Sequence, residues 1–146
     1  MVRLLFPGML ALLFSACLDD PDCVSNSTNI MRISLKRLDV DSARTVKFFW
    51  ISASGTDSVF HQGDSVSVLR LPVNTGATAT TYKFYYETKI DSLVVGYRRK
   101  TKVVSPECGA FPQYENLAVL STSFVEVKVI TTQLAIGVSK NLEIKL

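Results

Sequence analysis

The chain has 146 residues, of which 47% are apolar and 20% are charged, with a formal net charge of +3, one His and three Cys. This length predicts one globular domain, and so small a net charge excludes nucleic-acid binding through bulk charge. The Cys and His residues lack metal-ligand spacing, which excludes a zinc site of the usual kind, and no cofactor motif is present.

The first part of the chain has the layout of a secretory signal peptide. Arg3 is followed by a run of apolar residues and then by small ones, and the run is too short to span a bilayer. Cys17 follows two small residues, which resembles the lipobox of bacterial lipoproteins, with Phe14 where Leu is usual. We expect residues 1–16 to be removed and Cys17 to be acylated, palmitate included. An ordinary signal peptide that ends at a chance Cys is the alternative.

An acidic run follows the lipidation site. Asp19, Asp20 and Asp22 resemble the signal that sends lipoproteins of Bacteroidota to the cell surface, and a merely solvated tether explains them equally well. We assign residues 17–28 to a lipidated acidic tether. The expected location is the cell envelope, at the outer membrane, with the periplasmic and the surface face both open.

Cys23 and Cys108 remain once Cys17 is acylated, and an exported protein matures in an oxidising compartment. An even number of Cys there predicts a disulfide between the two. The alternative is a pair of free thiols of which one is catalytic. That alternative needs a nearby His, and nothing in the sequence pairs His61 with either Cys.

Residues 29–146 read as one domain of strands, because β-branched and aromatic runs alternate with polar residues between turn signals. The alternating sets are Ile33 and Leu35; Val46, Phe48 and Trp50; Val66 and Val68; Tyr82, Phe84 and Tyr86; Leu93, Val95 and Tyr97; Leu117 and Val119; Val125, Val127 and Val129; and Leu142, Ile144 and Leu146. Gly96 suggests a bulge in a strand that continues to Val104. About eight or nine strands predict an all-β, antiparallel β-sandwich, immunoglobulin-like or a related Greek key, with a small β-barrel as runner-up.

Catalytic motifs are missing from the sequence. It contains no nucleophile-elbow motif, and we predict neither an enzyme nor any catalytic residue. His61 is expected in a surface loop. Arg98, Arg99, Lys100 and Lys102 form a basic cluster. The simplest interpretation is a solvated hairpin, and the alternative is contact with lipid headgroups or acidic glycan.

Three large apolar residues fall on the face of their strands that a two-layer sandwich leaves in water. Phe49 and Ile51 alternate with Phe48 and Trp50, and Tyr85 alternates with its own aromatic neighbours. Exposed apolar patches mark interaction surfaces, so Phe49, Ile51 and Tyr85 are the candidate surface. Coverage by loops is the alternative.

Asp-Ser-aliphatic triplets recur in the chain. They resemble the Asp-Ser/Thr-aliphatic sites at which Bacteroidota attach O-glycans to exported proteins. The candidate acceptors are Ser42, Ser58, Ser65 and Ser92. The alternative is local structure, since Asp-Ser ends a turn and the aliphatic residue begins a strand.

The combination of Cys17, Cys23, the segment Val104-Ser-Pro-Glu-Cys-Gly109 and Asn116-Leu117 resembles a family of small Bacteroidota lipoproteins of unknown function. The resemblance implies a lipid-anchored accessory protein that works beside an outer-membrane β-barrel or another envelope protein. The alternative function is a glycan- or small-ligand-binding module that uses Trp50 and the aromatic residues from Tyr82 to Tyr86.

Overall fold

A computed structural model of the protein describes Cys23, residues 25–60 and residues 63–146. The predicted signal peptide, Cys17 and most of the tether before Ser25 lie outside the described residues, as does His61. The described residues form strands and no helix. The strands are β1 (Ile30–Lys36), β2 (Val46–Lys47), β3 (Trp50–Ala53), β4 (Val59–Phe60), β5 (Ser65–Val66), β6 (Val68–Pro72), β7 (Ala79–Tyr85), β8 (Ile90–Ser105), β9 (Gly109–Thr122), β10 (Glu126–Val129) and β11 (Leu142–Lys145).

Two sheets and a short ribbon are built from these strands. One sheet has four strands in the order β10-β11-β1-β6, the other has five in the order β4-β3-β7-β8-β9, and β2 pairs with β5. The predicted all-β sandwich is confirmed. Neither sheet closes on itself within the described strands, so the runner-up barrel is not formed. One pair departs from the antiparallel expectation, since β1 and β11 run parallel, with Ile33 opposite Leu142.

The core lies between the two sheets, because alternate side chains of each strand point inward. The four-stranded sheet supplies Met31, Ile33, Leu35, Leu69, Leu71, Leu142 and Ile144, and the five-stranded sheet supplies Ile51, Ala53, Tyr82, Phe84, Leu93, Val95 and Tyr97. Phe84 packs edge-on against Phe124, with ring centroids 5.1 Å apart. Full burial of each such side chain stabilises the fold by about 1.5–3 kcal/mol.

Two of the predicted alternating sets are wrong where a strand is interrupted, and in a third Val125 lies in a bend before β10 and is 79% exposed. Val66 and Val68 were expected on one buried face, but the chain bends at Ser67, and Leu69 and Leu71 are buried while Val68 is exposed. The Leu35 N–H donates to the Ser67 carbonyl across this bend. The second interruption, between β2 and β3, changes the candidate surface.

Contacts with the domain begin inside the segment assigned to the tether. The Ile136 N–H donates to the Asn26 carbonyl at 2.9 Å, and Ser27 forms an antiparallel bridge with Ala135. The chain is therefore held against the sandwich before β1 begins.

Candidate functional site

The β8–β9 hairpin carries the predicted disulfide at its turn. Cys23 and Cys108 are bonded, with Cα atoms 5.2 Å apart and 85 residues of sequence separation, so this prediction is confirmed. The Cys108 N–H also donates to the Ser105 hydroxyl at 3.1 Å. The N-terminal segment is thus fixed covalently to the end of the hairpin.

A row of exposed and partly exposed apolar side chains crosses the outer face of the five-stranded sheet. Trp50 and Tyr85 are opposite each other in β3 and β7, and their rings stack at 4.5 Å between centroids. Tyr85 is in turn opposite Ile90 of β8, and the ring of Phe49 lies 6.4 Å from that of Trp50. Ile90 is 59% exposed, Phe49 42% and Trp50 39%. We call Phe49, Trp50, Tyr85 and Ile90 the apolar row.

Ile51 does not belong to this surface, and its prediction is wrong. Regular alternation places Ile51 beside Phe49, but the chain leaves strand geometry at Phe48 and Phe49, before β3 begins. The Phe49 N–H still donates to the Tyr85 carbonyl at 2.8 Å. Phe49 and Trp50 consequently both face outward, and Ile51 is fully buried.

The row also contains residues that alternation missed. Alternation predicts Trp50 on the buried face with Phe48 and does not single out Ile90. The available signal was the unbroken run Phe48-Phe49-Trp50-Ile51, because a half-buried strand cannot hide four consecutive large apolar side chains.

A pocket of about 290 Å³ opens at the end of the sandwich where β8 begins. Its apolar walls include Leu38, Val46 and Phe124, and its polar lining includes Arg44 and Tyr86. Tyr86 is one of the aromatic residues that the sequence proposes for ligand binding, whereas Leu38, Val46 and Phe124 are not predicted there. The walls come from segments far apart in the chain, so spacing in the sequence gives no sign of this pocket.

Lys89 and Asp91 form an ion pair beside the pocket. The Asp91 carboxylate is buried, lies 2.7 Å from the Lys89 ammonium and accepts a hydrogen bond of 3.0 Å from the Ser123 hydroxyl. Burial raises the pKa of Tyr86, and the nearby Asp91 charge raises it further. The tyrosine is therefore a neutral hydrogen-bonding group at neutral pH, suited to binding.

The four candidate glycosylation sites lie in different settings. Ser42, Ser58 and Ser65 are exposed, in a bend after β1, immediately before β4 and at the first position of β5. Ser92 is partly buried inside β8, and its N–H donates to the Ser123 hydroxyl at 2.8 Å. Glycosylation of all four stays a prediction, and the turn-then-strand interpretation fits the first three.

The basic cluster lies along the distal half of β8. Arg98 and Lys100 both pair with Glu115 of β9, at 2.8 Å for Lys100, and these two cations lower the pKa of Glu115. Arg99 donates to the Thr75 carbonyl at 3.1 Å, and Lys102 is exposed. The cluster is exposed, as predicted, and two of its four cations share the single carboxylate of Glu115.

The described residues contain no group of three His, Cys, Asp or Glu side chains placed to hold a metal ion. No helix in this part of the chain is long and apolar enough to cross a membrane.

Residues 48–146 match the model of a family described as a family of unknown function (DUF6452). The chain belongs to this family. The matched segment contains the apolar row, Cys108 and β3 to β11, and it begins after β1 and Cys23. No curated protein and no solved structure matches the chain.

Proposed function

We propose that the protein is a lipid-anchored accessory of the bacterial cell envelope, at the outer membrane of a Bacteroidota-type cell. The sequence around Cys17 supports the anchor, since small residues precede a Cys after an apolar leader. The Cys23–Cys108 disulfide supports export, because disulfides persist in oxidising compartments and are rare in the cytosol.

The apolar row is the observation that carries the proposed role. Its side chains lie on the face of the sheet that does not pack on the core, and aromatic residues are enriched in protein interfaces. The stacked Trp50 and Tyr85 are already ordered against each other, so little side-chain entropy is lost on binding. The sandwich thus serves as an interaction module whose partner is an outer-membrane β-barrel or another envelope protein.

Site-specific photocrosslinking in intact cells tests the interaction. A photoreactive phenylalanine analogue at Trp50 is expected to form a discrete adduct with one integral envelope protein. The same analogue at Val125, which is exposed at another site, is the matched control. Adducts from both positions, or from neither, would contradict the proposed surface.

The anchor has a separate test. The Cys17→Ala variant is expected to leave the membrane fraction, and the mass of the native mature protein is expected to include acyl chains on Cys17. A native protein whose mass equals that of the polypeptide, with its disulfide, would contradict the lipid anchor. That result would not bear on the apolar row, which the crosslinking experiment tests.

Ligand binding is the second candidate, and the Trp50–Tyr85 stack favours it. Tyr82 and Phe84 are buried and cannot serve, whereas Trp50 presents an exposed ring against which the apolar face of a sugar can pack. Trp50 is the sole Trp of the chain, so its fluorescence reports binding directly. Saturable changes on titration with oligosaccharides, lost in Tyr85→Ala, would favour this function over protein docking.

A further inference from the structure

The β8–β9 hairpin extends well beyond the sheet that carries it. β7 pairs only with Ile90–Gly96 of β8, so the distal half of β8 has β9 on one side and no strand on the other. Side chains 98–104 are all exposed. We call 98–115 the arm, and the segment from Lys102 to Phe111 its tip.

The arm combines exposed apolar side chains at its tip with an excess of positive charge along its length, since 98–115 holds four basic and two acidic residues. Val103 is 70% exposed and Val104 43%, and Lys102 is opposite Phe111 across the ribbon. Glu107 in the turn is the one acidic residue of the tip. Arg99 has no carboxylate partner among the described residues, which leaves the arm with net positive charge beside its apolar end.

The disulfide places the start of the domain at this tip. Cys23 is bonded to Cys108, and Cys17 precedes Cys23 by six residues. Six extended residues span at most about 20 Å. If Cys17 carries the lipid, as the proposed function has it, the tip is therefore confined within that distance of the bilayer.

We propose that the arm tip docks on the surface of an anionic lipid bilayer. Val103, Val104 and Phe111 enter the interfacial layer, and Arg99 and Lys102 meet the phosphate-bearing headgroups. Basic side chains close to an anionic membrane and apolar side chains at its interface each favour binding. This inference rests on the proposed lipid anchor and adds a second contact with the same membrane.

Docking also sets the orientation of the domain. From Ile90 to Ser105, β8 spans about 50 Å at the usual rise per residue. A tip held on the bilayer places the apolar row, which includes Ile90, at the far end of that strand. The row is then presented to partners away from the lipid surface.

Quenching by brominated lipids tests the docking in the native, acylated protein. The Val103→Trp variant is made in a Trp50→Phe background, purified from membranes and reconstituted in vesicles of equal parts brominated phosphatidylglycerol and phosphatidylcholine. Its single tryptophan is expected to lose most of its emission. The matched control is Val125→Trp in the same background, which lies at the other end of the sandwich and is expected to keep its emission.

A charge-reversal variant separates docking from simple proximity. Lys102→Glu changes the tip by two charge units, and each unit near an anionic surface changes binding about fivefold. Quenching is therefore expected to fall sharply in Lys102→Glu and to persist in Lys128→Glu, whose site is on β10. The same fall is expected in vesicles of brominated phosphatidylcholine alone.

Flotation of the vesicles distinguishes the two proposals. Protein that floats with the vesicles while Val103→Trp stays unquenched overturns the docking and leaves the anchor intact. Equal quenching at positions 103 and 125 also overturns the docking. Protein that does not float overturns both. Saturable binding of a soluble acidic polysaccharide at physiological salt, lost in Lys102→Glu, together with an unquenched Val103→Trp would reassign the tip to acidic glycan.

Discussion

Asn141 is a buried amide that joins three segments of the chain. Its Oδ1 accepts from the Arg32 N–H at 2.9 Å, and its Nδ2 donates to the carbonyls of Gln133 at 2.9 Å and Thr131 at 3.3 Å. Both ends of the amide are therefore used, one as acceptor and one as donor. This side chain fixes the loop before β11 to β1.

Asn141→Asp is expected to destabilise the protein by about 3 kcal/mol or more. The carboxylate keeps the bond from Arg32 but no longer donates to the Thr131 and Gln133 carbonyls, and it places a charge on a buried side chain. Urea unfolding followed by circular dichroism measures the loss. Gln133→Glu introduces the same charge on an exposed side chain and is expected to stay close to wild type. Equal losses in both variants would show that charge alone is responsible.

Buried tyrosines predict an alkaline limit to stability. Burial is the main cause that raises the pKa of Tyr82, Tyr86 and Tyr97. Between their ordinary pKa of about 10 and the higher folded values, the unfolded chain binds fewer protons than the folded chain. Stability is therefore fully present below pH of about 10 and falls as pH rises above it.

The Tyr82→Phe variant is expected to lose stability less steeply above that pH. At neutral pH it is less stable by about 1 kcal/mol, because the Tyr82 hydroxyl no longer donates to the Pro72 carbonyl. Tyr85→Phe, on the outer face, is the control and should keep the wild-type pH slope. Urea midpoints measured across the alkaline range give the slope of stability against pH for wild type and both variants. Equal slopes in all three proteins would contradict the prediction.

At the residue scale, the sequence predicts some of the candidate site and misses the rest for a physical reason. The Cys23–Cys108 pair follows from counting, because one acylated Cys leaves an even number. Phe49 and Tyr85 follow from alternation. Ile51 does not, since one irregular step at Phe48 and Phe49 turns it inward, and tertiary contacts decide where a strand is interrupted.

Alternation of apolar and polar residues predicts single strands well, but it cannot predict which strands pair with each other. β1, β7 and β11 follow their apolar sets closely, because one face of each is fully buried. The parallel pairing of β1 with β11 joins the two ends of the domain, and no local pattern carries that information. The end pocket depends on the same long-range pairing.

The arm is an element whose stability depends on its disulfide, because an isolated two-stranded ribbon is marginal in water. The bond closes a loop of 85 residues, for which chain entropy gives a stabilisation of about 4–5 kcal/mol. It also ties the turn of the arm to the N-terminal segment through Cys23.

The Cys23→Ser/Cys108→Ser variant is therefore expected to open the arm at temperatures where the sandwich survives. Brief trypsin digestion should cleave it after Lys100 or Lys102, while Lys128 in the paired strand β10 stays protected. Reduction of wild type should reproduce the pattern. Cleavage at Lys128 at the same rate would mean that the whole domain unfolds and that the arm has no separate stability.

Across the whole molecule, the order of the strands makes the C-terminus a central part of the sheet. β11 lies between β1 and β10, and Leu142 and Ile144 are fully buried. Burial of each of these side chains stabilises the fold by about 1.5–3 kcal/mol, and each backbone hydrogen bond of the strand adds about 1 kcal/mol. The sum is comparable with the entire stability of a domain, about 5–15 kcal/mol.

A chain that ends at Asn141 is consequently expected not to fold. Without β11, the backbone of β1 loses its parallel partner and β10 loses its attachment to the sheet. Circular dichroism should show a coil spectrum without a cooperative thermal transition. A chain that begins at Cys23 is the control, because it keeps every described strand and the disulfide, and it should melt like the mature protein. A cooperative transition in the C-terminally shortened chain would show that the five-stranded sheet and the arm form a stable unit without the strand that closes the opposite layer.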